Sequence, residues 1–105
     1  MNLKLVSDDV RRRLSEFGDG GTWKVCKILE MKEDSIVGDH YHKQKDEMFV
    51  LLSGSGNFNI NGERKIRIAP YSVFIPRGTY HAFNLKKGSV LLGLVTELHD
   101  PTDDH

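Results

Sequence analysis

The sequence lacks the features that indicate an extracellular or membrane-bound protein. It contains one cysteine, Cys26, in 105 residues, so no disulfide can form within the chain, and a lone thiol is typical of a reducing compartment. No apolar run approaches the roughly 18 residues that a transmembrane helix needs. The first residues also lack the long apolar segment of a secretory signal. We therefore expect a cytoplasmic protein that does not associate with membranes.

The sequence also lacks an excess of charge of either sign. Its 15 basic and 15 acidic residues give a formal net charge of zero, so no overall field attracts nucleic acid. A chain of 105 residues has room for one hydrophobic core. We expect residues 1–105 to form a single domain whose partner is a small-molecule ligand and not a nucleic acid.

The first 21 residues predict a short helix followed by a turn. Val10, Leu14 and Phe17 are spaced i, i+4 and i+7, which places them on one apolar stripe. Ser7 can cap the first turn of such a helix, and the glycine-rich residues 18–21 then end it.

From residue 22 to residue 97 the pattern is that of short β-strands. The Asn61-Gly62 pair between alternating segments predicts a tight hairpin. One strand carries Lys27 in an otherwise apolar phase. Strands are predicted at or within residues 23–31, 47–52, 58–60, 66–68, 73–75 and 89–97. Residues 98–105 form a polar tail that we expect to fray. Many short strands with turns between them indicate a sandwich or barrel.

Four residues offer the ligand set of a divalent metal ion. His40 and His42 are two residues apart, so on an extended chain both side chains leave the same face of the sheet. Glu47 and His81 add a carboxylate and a third imidazole. Three imidazoles and a carboxylate suit Mn, Fe, Ni, Cu or Zn where coordination positions must stay open for a substrate. The sequence predicts a metal pocket but does not distinguish Zn, Mn, Fe and Ni.

These residues also carry a resemblance to a known family. His40-Tyr41-His42, four residues, Glu47, six residues and Gly54 resemble the first motif of the cupin superfamily. The run Pro76-Arg77-Gly78-Thr79-Tyr80-His81, followed by Asn84, is similar to the second motif. The resemblance covers residues 22–97. It departs from the family pattern at Asp34 and Pro70, where glycines are expected, and the spacing from His81 to Asn84 is one residue short.

The resemblance implies an all-β fold, the double-stranded β-helix or jelly-roll barrel, here with a short N-terminal helix. It also implies that His40, His42, Glu47 and His81 point into the lumen of the barrel. Phe49 and Leu51 share the strand phase of Glu47, and Phe83 shares that of His81, so we expect all three to line the lumen near the metal.

Arg77 and Tyr80 lie where the strand reaches the mouth of the barrel, and either could meet a substrate anion or hydroxyl. With Phe49, Leu51 and Phe83 they form the predicted substrate-binding set.

Three classes of function fit this site. The first is an isomerase or epimerase of a sugar or nucleotide sugar, because residues 72–81 are similar to phosphomannose-isomerase-type cupins and His40-Tyr41-His42-Lys43 to sugar-nucleotide ketoisomerases. The second is an Fe(II)-dependent dioxygenase. The third is a non-catalytic barrel that senses a small ligand or a metal. Small-molecule metabolism, with sugars as the candidate substrates, is the interpretation we favour.

The last strand predicts association of two chains. Val90, Leu92 and Leu94 alternate with Leu91, Gly93 and Val95, so both faces of the strand are apolar although only one can point inward. The outer face needs a cover, and we expect a two-fold homodimer.

Overall fold

The computed structural model describes residues 4–17 and 22–105, apart from the side chain of Phe17. These residues form ten strands and one 3-10 turn, Pro101–Asp103. The strands are β1 (Lys4–Asp8), β2 (Arg12–Phe17), β3 (Val25–Met31), β4 (Ser35–His40), β5 (Glu47–Ser53), β6 (Ser55–Ile60), β7 (Glu63–Ile68), β8 (Tyr71–Ile75), β9 (His81–Leu85) and β10 (Val90–Val95). The described residues contain no helix with the length and apolar character needed to cross a bilayer.

The strands form two antiparallel sheets whose neighbours are mostly distant in sequence. The larger sheet has the order β1-β2-β3-β10-β5-β8, and the smaller has the order β4-β9-β6-β7. Such crossovers between two packed sheets are the pattern of a jelly roll. The all-β barrel expected from the sequence is therefore confirmed.

The core lies between the two sheets and is built by strand alternation. Phe49 of the larger sheet packs edge-on against Phe83 of the smaller sheet, with their ring centroids 4.9 Å apart, and Phe58 lies 4.6 Å from Phe83 on its other side. On β10, Leu91 and Val95 point inward and are buried, whereas the alternate residues of that strand are only half-buried. Apolar burial between the sheets is the main source of stability for this arrangement.

The hairpin predicted at Asn61-Gly62 is present between β6 and β7. Both residues have positive φ, 51° for Asn61 and 86° for Gly62, as a tight hairpin turn between twisted strands requires. The side chain of Asn59 accepts a hydrogen bond from the Gly62 N–H at 2.9 Å and supports the turn.

The prediction of an N-terminal helix is wrong, because β1 and β2 form a hairpin there. The Asp9 carboxylate accepts hydrogen bonds from the N–H groups of Arg11 and Arg12 at 2.8 and 3.1 Å, and these bonds close a turn instead of a helix. All six residues of β2 then pair with β3, so the main chain satisfies its hydrogen bonds in a sheet. Leu14 still packs against the core, but from a strand. The glycine-rich break expected at residues 18–21 lies outside the described residues.

The C-terminal tail is docked, and the expectation that it frays is wrong. Its 3-10 turn is capped by the Asp100 side chain, which accepts from the Thr102 N–H at 2.9 Å, and Asp103 is buried. Main-chain hydrogen bonds join Tyr41 and His105 in both directions, at 3.2 and 3.1 Å. The tail is therefore held beside the residues that follow β4.

Candidate metal centre

A bulge at the end of β4 directs His40 into the lumen. β4 and β9 pair from Ser35 to Gly38, and the register then shifts by one residue so that His40 lies opposite His81. Gly38 and Asp39 provide the extra curvature with φ values of 93° and 68°. A side chain on Gly38 would bring its Cβ within 2.9 Å of His81 Cδ2. Only glycine allows the two strands to come this close.

Glu47 and His42 enter the same space from the other side. Glu47 is the first residue of β5 and pairs with Ile75 and Val95 on the neighbouring strands, so the sheet fixes its backbone. His42 lies in the loop between β4 and β5, where it is 4% exposed. Two sheets and one loop thus bring the four predicted ligands together.

The four side chains converge on one point. The ligand atoms of His40, His42, Glu47 and His81 all lie within 4.8 Å of one another. His42 Nε2 is 3.0 Å from His40 Nε2 and 3.3 Å from Glu47 Oε1, and His81 Nε2 is 3.5 Å from Glu47 Oε1. Atoms bound about 2.1 Å from one ion are about 3.0–3.4 Å apart in octahedral or tetrahedral geometry. The separations fit a common ion.

The hydrogen bonds of the Nδ1 atoms of two histidines determine which ring nitrogen faces the centre. His42 Nδ1 lies 2.8 Å from the carbonyl oxygen of Asp103, which can only accept, so this nitrogen carries the proton and Nε2 presents a lone pair. His81 Nδ1 likewise lies 3.4 Å from the carbonyl oxygen of Thr79, so its Nε2 also presents a lone pair to the centre. Glu47 Oε1 is buried and has no hydrogen-bond partner among the described residues. The unprotonated Nε2 atoms of His42 and His81 therefore face the Glu47 carboxyl group, an arrangement that a cation between them would stabilise.

Burial favours the neutral form of each ligand when no ion is bound. It lowers the pKa of His81 to about 4, and it also lowers the pKa values of His40 and His42. Burial raises the pKa of Glu47 to about 7, although the nearby Lys45 and Lys27 oppose this shift. A bound divalent ion would reverse the preference of Glu47 by attracting its anionic form. The cluster can hold a divalent metal, and its donor set does not select among Zn, Mn, Fe and Ni.

The docked tail supports the loop that carries His42. The Asp103 carboxylate accepts hydrogen bonds from the N–H groups of Lys43 at 2.9 Å and Gln44 at 3.1 Å, while its carbonyl oxygen receives His42 Nδ1–H. Asp104 Oδ1 lies 3.3 Å from the same His42 nitrogen. The tail therefore orients one ligand through three contacts of a single buried residue.

A cavity of about 340 Å³ opens beside the cluster. Of the predicted substrate-binding residues, Phe49 lines this cavity. Leu51 and Phe83 are buried in the core farther down the barrel. Arg77 is exposed and pairs with Asp46 at 3.2 Å. Tyr80 hydrogen-bonds to Asp39 in a groove on the outside of the smaller sheet. The structure does not bring these last four residues to the cavity.

The charged residues of the cavity wall were not among the site residues predicted from the sequence. Lys27 interrupts the apolar phase of β3, and this interruption could have indicated a functional residue. Charged side chains are rarely buried, so a lysine at an inward-facing position suggests a role in a site. Lys45 lies between two ligands in the sequence but is buried, and Asp104 lies in the tail that was expected to fray. The wall includes Arg12, Lys27, Lys45 and Asp104 as well as the four ligands.

Comparison with known proteins finds similarity in both sequence and fold. A family model described as "Cupin domain" matches residues 27–95. An uncharacterized protein of Aquifex aeolicus (strain VF5) is 35% identical over 65 residues, which are 61% of this chain and 54% of the Aquifex protein. The alignment thus spans about half of that relative.

Solved structures share the fold over nearly the whole chain. The capsular polysaccharide assembling protein CapF from Staphylococcus aureus is 26% identical, with a TM-score of 0.76 over 96% of this chain and 32% of CapF. This chain therefore corresponds to about a third of CapF. A variant of Streptomyces PAC13 with uridine is 14% identical, with a TM-score of 0.73 over 98% of this chain and 82% of PAC13, a likeness of fold alone.

We predict that added divalent metal stabilises the protein and does so more at pH 8 than at pH 6. Below the Glu47 pKa of about 7 the ion must displace a proton, so its affinity falls up to about tenfold per pH unit. At a hundredfold excess over Kd, metal should add about 2.7 kcal/mol to the free energy of unfolding. Thermal melts with and without metal at the two pH values measure this effect.

Glu47→Gln keeps the shape of the side chain and should abolish the metal-dependent rise in Tm. Glu63→Gln, which alters an exposed carboxylate paired with Lys65 at 3.0 Å, is the matched control and should respond as the parent does. Equal responses of the two variants would show that Glu47 does not bind the ion.

We also predict that Asp103→Ala lowers metal affinity by about 10–100-fold, because the loop that carries His42 loses two hydrogen-bond acceptors. Asp34→Ala is the control, since Asp34 accepts from the Lys87 N–H at 2.8 Å in a loop that does not contribute to the centre. Metal titrations of both variants measure the effect. Similar affinities for the two variants would mean that the tail does not orient His42.

Proposed function

The chain belongs to the cupin family, and we propose that it is a metal-dependent member that isomerises or epimerises a sugar or a nucleotide sugar. The observation that carries the proposal is the convergence of His40, His42, Glu47 and His81 beside an open cavity. The unpartnered Glu47 Oε1 supports a bound cation there. The likeness to CapF, described as assembling a capsular polysaccharide, supports a sugar as the substrate.

The arrangement suits proton movement next to a carbonyl group. When bound, a divalent ion supplies Lewis-acid polarisation of a substrate oxygen. The chain itself supplies a cavity wall in which Phe49 gives an apolar surface and the sheets exclude water from behind the ligands. Besides the four ligands, the described side chains of the wall that can exchange a proton include Lys27, Lys45, His99 and Asp104.

The proposal is tested with untagged protein whose metal has been determined by elemental analysis. The metal-loaded protein is incubated in D₂O with sugar phosphates and nucleotide sugars, and deuterium incorporation next to the carbonyl carbon is followed by NMR. We expect incorporation with the parent and none with Glu47→Gln. Oxygen uptake with bound iron would instead indicate the dioxygenase, and tight ligand binding without turnover would indicate the sensor.

We further propose a two-fold homodimer formed through the outer face of the larger sheet. Leu92 lies between Val50 and Ile28 on this face, all three half-buried. Next to them, Leu52 and Phe74 are 53% and 48% exposed. A continuous apolar face on four adjacent strands is typical of an association surface.

The dimer predicts a mass of twice 11.9 kDa in light scattering at micromolar concentration. Phe74→Lys places a charge on the proposed interface and should give the mass of one chain. Ile66→Lys alters another exposed residue, on β7 of the smaller sheet, and should remain dimeric. A parent protein with the mass of one chain would refute the dimer.

A further inference from the structure

The cavity beside the ligand cluster is lined by cations that lack close carboxylates. Lys45 is 4% exposed and Lys27 and Arg12 are half-buried, and all three line the cavity. Within residues 4–17 and 22–105, no carboxylate oxygen lies within the 4.0 Å ion-pair distance of any of them. Arg11, at the same cavity, differs because it pairs with Asp9 at 3.0 Å.

Burying such cations is costly unless an anion offsets them. A charged amine loses hydration on burial, and this loss lowers the pKa of Lys27, as does the neighbouring Lys45. Glu47 and Asp104 face the same space, and their two negative charges would offset one divalent ion. Glu16 lies opposite Lys27 on β2, beyond ion-pair distance. With an ion bound, most of the positive charge of the three cations remains unbalanced.

The size of the cavity limits the ligand. The cavity has a volume of about 340 Å³. This is near the lower end of the about 300–1,000 Å³ that small-molecule pockets occupy. A single sugar with one anionic group fits such a space, whereas a whole nucleotide sugar would extend into solvent.

We infer that the lumen binds a small hydroxylated organic anion whose carboxylate or phosphate contacts Lys27, Lys45 and Arg12 while its other oxygens face the ligand cluster. This inference rests on the proposed function in that it names the substrate class of the same site. A charged oxygen between two ammonium groups and a guanidinium forms charge-assisted hydrogen bonds, which are stronger than those of a neutral hydroxyl. The anionic group would thus hold the substrate with its reacting carbon near the ion.

Calorimetric titration of the metal-loaded protein with gluconate, glucose 6-phosphate and glucose tests the inference. At least one anion should bind about tenfold or more tightly than glucose, because a hydrogen bond to a charged group contributes more than a neutral one. The stronger of the two anions distinguishes a carboxylate substrate from a phosphate. Failure of both anions to bind at millimolar concentration, or affinities equal to that of glucose, would overturn the inference.

Lys27→Met keeps the length of the side chain, removes its charge and should weaken anion binding by about tenfold or more. Metal affinity should not fall, since a cation near the ion has been removed. Arg12→Gln is a second variant that removes a cation of the cavity wall without altering the buried Lys45, and it should also weaken anion binding. Circular dichroism checks that both variants are folded. Lys24→Met is the control, because Lys24 pairs with Glu97 at 3.2 Å and does not line the cavity. Equal anion affinities of the Lys27 and Lys24 variants would count against the inference.

The titrations separate this inference from the proposed function. Anion binding that depends on Lys27 but proceeds without any bound metal would support the inference and contradict the metal-dependent isomerase. Metal binding with no preference for anions would support the metal centre and contradict the inference.

Discussion

The convergence of three imidazoles and one buried carboxyl group on one point is the constraint on which the rest of the site depends. His42 Nε2 and His81 Nε2 lie 3.3 and 3.5 Å from Glu47 Oε1, which is buried without a hydrogen-bond partner among the described residues. An anionic carboxylate in this position is costly unless a positive charge lies nearby. The protein holds these side chains in place by other means. The bulge at Gly38 and Asp39 aims one ligand, the sheet fixes Glu47, and the tail orients His42. Barrel stability is thus used to maintain a local arrangement that would otherwise relax.

The charge of the cavity extends this constraint outward. A divalent ion held by only one anionic ligand would retain positive charge, and the nearby lysines would add to it instead of reducing it. Water and substrate oxygens are then the groups that complete the electrostatic balance. The same cations oppose the rise in the Glu47 pKa and so favour its ionised form, but their positive charge also repels a divalent ion. The lysines that we propose to hold the substrate anion would therefore also act on a bound ion, through two opposing effects.

Much of the barrel and of the ligand set could be predicted from the sequence, because local signals determine them. The Asn61-Gly62 turn, the alternation on β10 and the His40–His42 spacing each depend on neighbouring residues, and the structure bears out the turn, the strand and the convergence of the histidines. The N-terminal segment was misassigned because three apolar residues at helical spacing also occur in a strand, and pairing with β3 decided between them. Asp103 acts through contacts with the distant residues Lys43 and Gln44, which no local pattern reveals, and the burial of Lys45 depends on the packing of the whole fold.

The docked tail has a thermodynamic consequence for the whole protein. Asp103 contacts the His42 loop, and His42 would bind the ion, so ion binding and tail docking are linked equilibria. Linkage is reciprocal. If tail docking makes ion binding more favourable, ion binding makes tail docking more favourable by the same free energy. Residues 98–105 should therefore exchange their amide hydrogens more slowly, and resist proteases longer, when the centre is occupied. The protection of the C-terminal residues would therefore report whether an ion is bound inside the barrel.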